Sequence, residues 1–286
     1  LPWHSLIAGC SGLPVATYTA LNFQDQGNTA MQPIRHLNLI LGDQLNRNST
    51  LWDEFDPARD RVWMAEVRGE STATLSSKQR TVQFLSAMRH FADALRTEGI
   101  EPLYIPLSAG YQHFADAIHD TLKKIKPEQI RCVVPGDNRV LHEMNQVCIE
   151  QGYPIIWLED SHFISTARDF ASWAAGRKSL RMEYWYRLLR KRNNILLDYA
   201  SNQDAEPCGG QWNYDKDNRR AFGKAGPQKL PQPKLFSPDP LTQEVMADVV
   251  RYLPDLPGEL EGFQWPVTRE DALLALTDFI EHRLAR

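Results

Sequence analysis

No run of apolar residues in this chain is long enough to cross a bilayer, so it offers no candidate for a membrane-spanning helix. Cysteine is scarce. Cys10, Cys132, Cys148 and Cys208 are scattered and form no C-x-x-C pair. This argues against a self-contained iron–sulfur or zinc site and for buried thiols in a reducing cytosol. No G-x-G-x-x-G occurs after the first strand, so there is no dinucleotide fingerprint there. No Ser/His/Asp or Cys/His arrangement stands out. His142 and His162 lack metal-ligand spacing, and His90 reads as helix surface or a cap. An overall positive charge is also missing: 32 Lys and Arg against 36 Asp and Glu leave −4. Any anion-binding face must therefore be local.

The chain does have apolar material, 42% of 286 residues, enough to bury a sizeable core. Regular patterning begins only after Met31, which reads as the true start. Residues 1–30 read as a leader outside the fold, with no basic n-region and a poor fit to a secretory signal. The run HLNLIL over 36–41, stopped by Gly42-Asp43, predicts a buried strand and a turn. RVWMAEV over 61–67 predicts a second. Phe84, Leu85, Met88, Phe91, Ala92 and Leu95 recur at three and four, the stripe of an amphipathic helix. Then follow a strand over 102–106, a helix over 111–125, a strand over 130–134, a helix over 139–151 and a strand over 154–157. This alternation predicts α/β: a Rossmann-like parallel sheet with helices on both faces.

The pattern changes after about Ser161. A short helix is expected over 169–175 and a longer one over 180–197. In the longer one Met182, Tyr186, Leu189 and Leu196 share a face opposite Arg187 and Lys191. Its cations, from Arg177 to Arg192, can contact phosphates, or form a solvated or domain-contacting face. Residues 206–240, rich in Pro, Gly, Asn and Lys, read as a connector with little secondary structure. A last helix starts at Thr268 with Asp271 three residues on, a capping-box-like start. It carries Ala272, Leu273, Leu276, Phe279, Ile280 and Leu284 on one face. That stripe either docks back on the sheet domain or opens a further helical domain, and the second reading is preferred.

Three features carry candidate chemistry. Asp43 and Gln44 follow the first strand, where open α/β folds bind ligands, and can read a heterocycle edge; alternatively Asp43 caps backbone amides in a turn. Glu66 and Glu70 lie on the same rim, as an acid/base pair or, more often for such pairs, as solvated carboxylates. Gly209-Gly210-Gln211-Trp212-Asn213, with Asp215 and Asn218-Arg219, is too specific for an arbitrary loop, though its composition names no ligand.

The blocks LILGDQL (39–45), SAMRHFA (86–92), AAGRKSL (174–180), Met182-Glu183-Tyr184 and GGQWN (209–213) resemble, in order, the iron–sulfur bacterial cryptochrome and photolyase family. The resemblance runs from about Met31 to Arg286. It implies an α/β antenna domain over 31–165 and a connector over 166–266 with its basic helix at 177–197. Residues 267–286 would begin a truncated all-helical FAD-binding domain. It also implies 6,7-dimethyl-8-ribityllumazine in the antenna site. Asp43 and Gln44 would hydrogen-bond the chromophore, Glu70 would sit near its ribityl chain, Ala65 would hold a small-residue position and Phe84 would form a wall. FAD and a [4Fe–4S] cluster are expected only in the family's C-terminal part, so no catalytic residue and no metal ligand is expected here. The segment 66–78 departs from the family's E-V-x-E-E-A-T-Y-V-x-H-H-K pattern in lacking its His pair.

The implied function is the antenna half of a light-driven (6-4) DNA photolyase, acting on damaged DNA as a full-length cytoplasmic monomer. The alternatives are a cryptochrome-like blue-light photoreceptor and a stand-alone lumazine- or nucleotide-binding remnant without catalysis.

Overall fold

The structure, a computed structural model, describes residues 33–198, 206–216, 221, 223, 224, 226 and 230–284. The expected leader, Met31, Cys10 and Asn218-Arg219 lie outside these residues. The described chain forms two units. One runs to Leu158 and resumes at Pro233; the other is Glu159–Gln232.

The first unit is built on five strands: β1 (His36–Leu39), β2 (Arg61–Ala65), β3 (Leu103–Ile105), β4 (Gln129–Val133) and β5 (Ile155–Leu158). All pair in parallel, in the order β3-β2-β1-β4-β5. The helices among these strands, in chain order, are α1 (Gly69–Thr72), α2 (Lys78–Thr97), α3 (Phe114–Lys124) and α4 (Asn138–Glu150). Strand side chains alternate between faces, so each strand feeds two cores. Leu37, Leu39, Trp63, Ile130 and Cys132 pack against α3 and α4. Val62, Met64 and Val133 face the other way, onto the apolar stripe of α2, with Val82, Leu85, Met88 and Leu95. Such near-continuous burial is what a sheet covered on both faces requires. The α/β class expected from the sequence is the class observed, with strand ends shifted by one or two residues. The third helix begins at Phe114, three residues later than the periodicity suggested.

In the second unit, α5 (Ala167–Ala174) starts with a capping box between Thr166 and Asp169, and α6 spans Met182–Asn193. Two-residue strands β6 (Leu197–Asp198) and β7 (Glu206–Pro207) pair antiparallel. The expected basic helix over 177–197 is therefore shorter: Arg177 and Arg181 precede it. It ends at Asn194, whose left-handed φ of 54° closes it. The face expected to be apolar is also different. Met182 and Tyr186 are exposed, whereas Trp185 and Arg190 are buried. Trp185 packs against Phe170 and Trp173 at ring-centroid distances of 5.7 and 5.2 Å, an aromatic cluster that outweighs the thinner stripe.

The connector also contains a helix that the sequence reading did not anticipate. This is α7 (Pro240–Tyr252), capped by Asp239 and opened by a proline at its first turn. It belongs to the first unit and lies along α2, with Val245 and Val249 fully buried. The last helix, α8 (Arg269–Phe279), starts as expected, Thr268 accepting from the Asp271 amide at 3.1 Å. Its Leu273, Leu276 and Phe279 are exposed. No helix among the described residues is long and apolar enough to cross a membrane.

The amino ends of β1 and β2 are fixed by Asp60. Its buried carboxylate accepts from Arg35 Nε (2.9 Å), Arg35 Nη2 (2.6 Å), the His36 amide (3.2 Å) and the Asp56 amide (2.9 Å). Burial alone would raise its pKa. The Arg35 guanidinium, the Asp56 amide and nearby His36 outweigh that and hold it below 3.8. The stabilisation is thus complete above the ordinary carboxylate pKa and is lost as pH falls through the depressed folded value. Asp60→Asn should flatten the acid limb of a stability-versus-pH curve that the parent protein shows. In urea unfolding, Val249→Ala should lower stability by about 2 kcal/mol. Its neighbour Val250, exposed on the same helix, should tolerate alanine within about 0.5 kcal/mol.

Candidate functional site

Where β1 and β4 lie side by side, the connections that follow them lead to opposite faces of the sheet: the segment after β1 packs Leu51 into the core on the α2 side, and α4, which follows β4, covers the other face. Such a divergence opens a crevice at the carboxyl ends of the strands. A cavity of about 270 Å³ sits there, lined by Leu41, Gly42 and Asp43 after β1, by Ala65 to Val67 at the end of β2, and by Glu70 and Ser71 of α1. Thr74, Ser76, Arg80, Phe84 and Met88 continue the wall through the start of α2, and Pro135, Asp137 and Arg139 close it from the β4 side. The size is close to the lower end of ligand pockets, roughly 300 Å³.

Of the five residues expected to bind a cofactor, four line this cavity. Asp43 stands exposed on the turn after β1, and Ala65 is buried at the end of β2. Phe84 closes the α2 side. Its ring approaches the Gly42 backbone so closely that a Cβ on Gly42 would lie 2.6 Å from Phe84 Cζ and 2.8 Å from Met88 Sδ. Glu70 accepts from Arg139 Nη2 at 2.7 Å. That contact ties α1 to the start of α4 beside the cavity. Hydrogen bonding to Glu70 raises the Arg139 pKa further and keeps the guanidinium charged. Asp137 caps α4 by accepting from the Arg139 amide at 2.7 Å, which chiefly lowers its own pKa.

Gln44 is placed differently. Its side chain is buried and is not among the lining groups. Nε2 donates to the Val133 carbonyl (2.9 Å) and Oε1 accepts from the Leu41 amide (3.4 Å). The amide therefore bridges the ends of β1 and β4 where their backbones lose each other as ladder partners.

Glu66 and Glu70 do not act as a pair. Glu66 is a buried residue of the cavity wall, both oxygens occupied: Arg89 donates from Nε (2.8 Å) and Nη2 (2.9 Å), Tyr104 from its hydroxyl (2.6 Å) and Leu107 from its amide (2.7 Å). The solvated-rim expectation fails for Glu66 because Arg89, a helix residue read only as part of a motif, turns inward. Arg139, Asp137, Arg80 and the hydroxyls of Ser71, Thr74 and Ser76 were missed. The available signal was the Gly136-Asp137 turn after β4, which mirrors Gly42-Asp43 after β1.

In the second unit, the basic helix serves its own loop. Trp212 lies within 5.1 to 5.5 Å of the charged groups of Arg187, Arg190 and Lys191, and Asn213 donates to Glu183 at 2.7 Å. The Gly209–Asn213 motif is thus held on α6. Among the described residues no three His, Cys, Asp or Glu side chains cluster as metal ligands would. Cys132 and Cys148 lie in the apolar core, where burial pushes both thiols up, Cys148 to about 12.

The fold and cavity define a class: an open, all-parallel α/β domain with a ligand-sized cleft at its switch point. Comparison with known proteins narrows it. Residues 38–265 match the family described as deoxyribodipyrimidine photo-lyase-related protein, and the chain belongs to that family. It is similar to a "(6-4) photolyase" of Agrobacterium fabrum (strain C58 / ATCC 33970), 37% identical over 250 residues, 86% of this chain. The chain spans 47% of that relative's length.

Gly42→Ala should force Phe84 off its place against the turn. The expected result is a loss of about 1–3 kcal/mol in denaturant unfolding and a changed Phe84 environment in aromatic NMR spectra.

Proposed function

We propose that this chain is the light-harvesting part of a photolyase-related DNA-repair protein, and that the switch-point cavity takes a ribityl lumazine. The observation that carries the reading is the make-up of that cavity: one aromatic wall, a small floor and a rim of carboxylates and hydroxyls. Phe84, packed down onto the Gly42 turn, offers a flat wall for a bicyclic ring, and Ala65 leaves room beneath it. Asp43 supplies an acceptor for ring N–H or hydroxyl donors. Glu70, with Ser71, Thr74 and Ser76, suits a polyol chain, and the Arg139 contact fixes the direction of the Glu70 carboxylate. Gln44 acts behind this set, holding β1 and β4 in register rather than touching the ligand. When bound, the chromophore supplies absorption of near-ultraviolet and blue light for the flavin of the repair reaction.

Damaged DNA is the proposed substrate of the full-length protein, in keeping with the name of its relative. The FAD and [4Fe–4S] expected from the resemblance have no fitting ligand set among the described residues. The buried thiols of Cys132 and Cys148, pushed away from the thiolate form, do not suit iron ligation.

The test is a spectroscopic titration of the purified chain with 6,7-dimethyl-8-ribityllumazine and, separately, with FAD. Binding of the lumazine with a shifted emission band, and none of FAD, is the expected result. Glu70→Ala and Asp43→Ala should each weaken that binding by roughly tenfold or more. A chain that takes up no lumazine at any workable concentration would refute the reading.

A further inference from the structure

The Arg89 side chain is fully buried, yet it reaches three carboxylates on two separate elements. Besides Glu66 it donates to Asp248 (2.7 Å) and Glu244 (3.4 Å), both on α7. Glu66 in turn is one of the cavity's lining residues and accepts from the Leu107 amide in the turn after β3. A continuous path of charge-assisted bonds therefore runs from α7, through α2, to the wall of the ligand cavity. Packed hydrogen-bonded chains of this kind transmit changes between sites. We propose that Arg89 is a positioning residue that couples the seating of α7 to the cavity: Glu244 and Asp248 hold the guanidinium, and the guanidinium holds Glu66.

Charge explains why α7 has leverage. The cluster sets one cation against Glu66, Glu244 and Asp248, with Tyr104 from β3 and Asp93 from α2 also facing it. Neutralising Glu244 and Asp248 takes full negative charge away from one side of the Arg89 guanidinium and leaves Glu66 on the other, so guanidinium and Glu66 carboxylate shift together, whereas apolar changes on α7 leave the charges in place. The ligand side of this coupling rests on the lumazine reading; the coupling of α7 to Glu66 does not.

The test uses Glu244→Gln and Asp248→Asn, alone and together. Both side chains are partly exposed, 29% and 22%, so the variants should fold. The first readout is the NMR position of the Leu107 amide, which reports its bond to Glu66. The second is affinity for 6,7-dimethyl-8-ribityllumazine. The double variant should move the Leu107 signal and weaken binding between about twofold and about thirtyfold, the range of coupling through packed networks. Asp248→Glu should restore both. Val249→Ala, which loosens the apolar side of the same helix, should change neither. An unmoved Leu107 signal in the folded double variant would overturn the proposal, as would an equal shift in Val249→Ala. A moved signal with unchanged affinity would overturn its ligand arm. If the parent protein binds no lumazine, that refutes the function proposed above, and the Leu107 signal alone decides the coupling.

Discussion

One wall of the cavity at the carboxyl edge of the sheet, and the seating of α7, lean on one buried guanidinium. Arg89 enters from α2, closes the Glu66 carboxylate at the end of β2 and meets α7 on its far side. Burying such a charge is tolerable only because every direction is answered by an acceptor; an unpaired partner left behind would cost about 3–5 kcal/mol. The cluster thus works less as a source of net stability than as a constraint on geometry. It allows β2, the turn after β3, α2 and α7 to meet in one arrangement, and that arrangement shapes one wall of the cavity.

The opposite wall has a different origin. β1 and β4 must part after their last shared ladder bonds because the connections that follow them lie on different faces. Gln44 replaces the missing backbone pairing with its own amide. Two similar turns, Gly42-Asp43 and Gly136-Asp137, then face each other across the crevice, one giving an exposed carboxylate and the other a helix cap. The absence of a side chain at Gly42 lets Phe84 press onto the turn. A cavity with an aromatic side, a small floor and a polar rim follows from topology and packing together.

Much of the sheet was legible because its signals are local. Short apolar runs ending in Gly-Asp and stripes at three and four are written within ten or twenty residues. Helix α7 was missed although Asp239-Pro240 is a plain start signal, because it follows a Pro-rich stretch whose composition reads as connector. For α6 the sequence suggested a face led by Met182 and Tyr186. The buried residues are Trp185 and Arg190, chosen by partners in α5 and in the loop around Trp212 that no helical wheel contains. Glu66 and Glu70 stand four apart and looked alike. Which of them is buried depends on Arg89, twenty-three residues away, and on Tyr104, thirty-eight away.

By itself the sequence determined the class of fold, the order of the sheet strands and of most helices, and Asp43 and Glu70 at the carboxyl rim, while the resemblance in motif order added Ala65 and Phe84 at the switch point. These rest on periodicity, turn chemistry and motif order, which are properties of neighbouring residues. Only the tertiary structure decided that Gln44 ties strands together, that Glu66 is locked in the wall, and that Arg139 and α7 belong to the site's surroundings. Those roles are set by which groups meet across long sequence separations, where burial makes every polar atom find a partner.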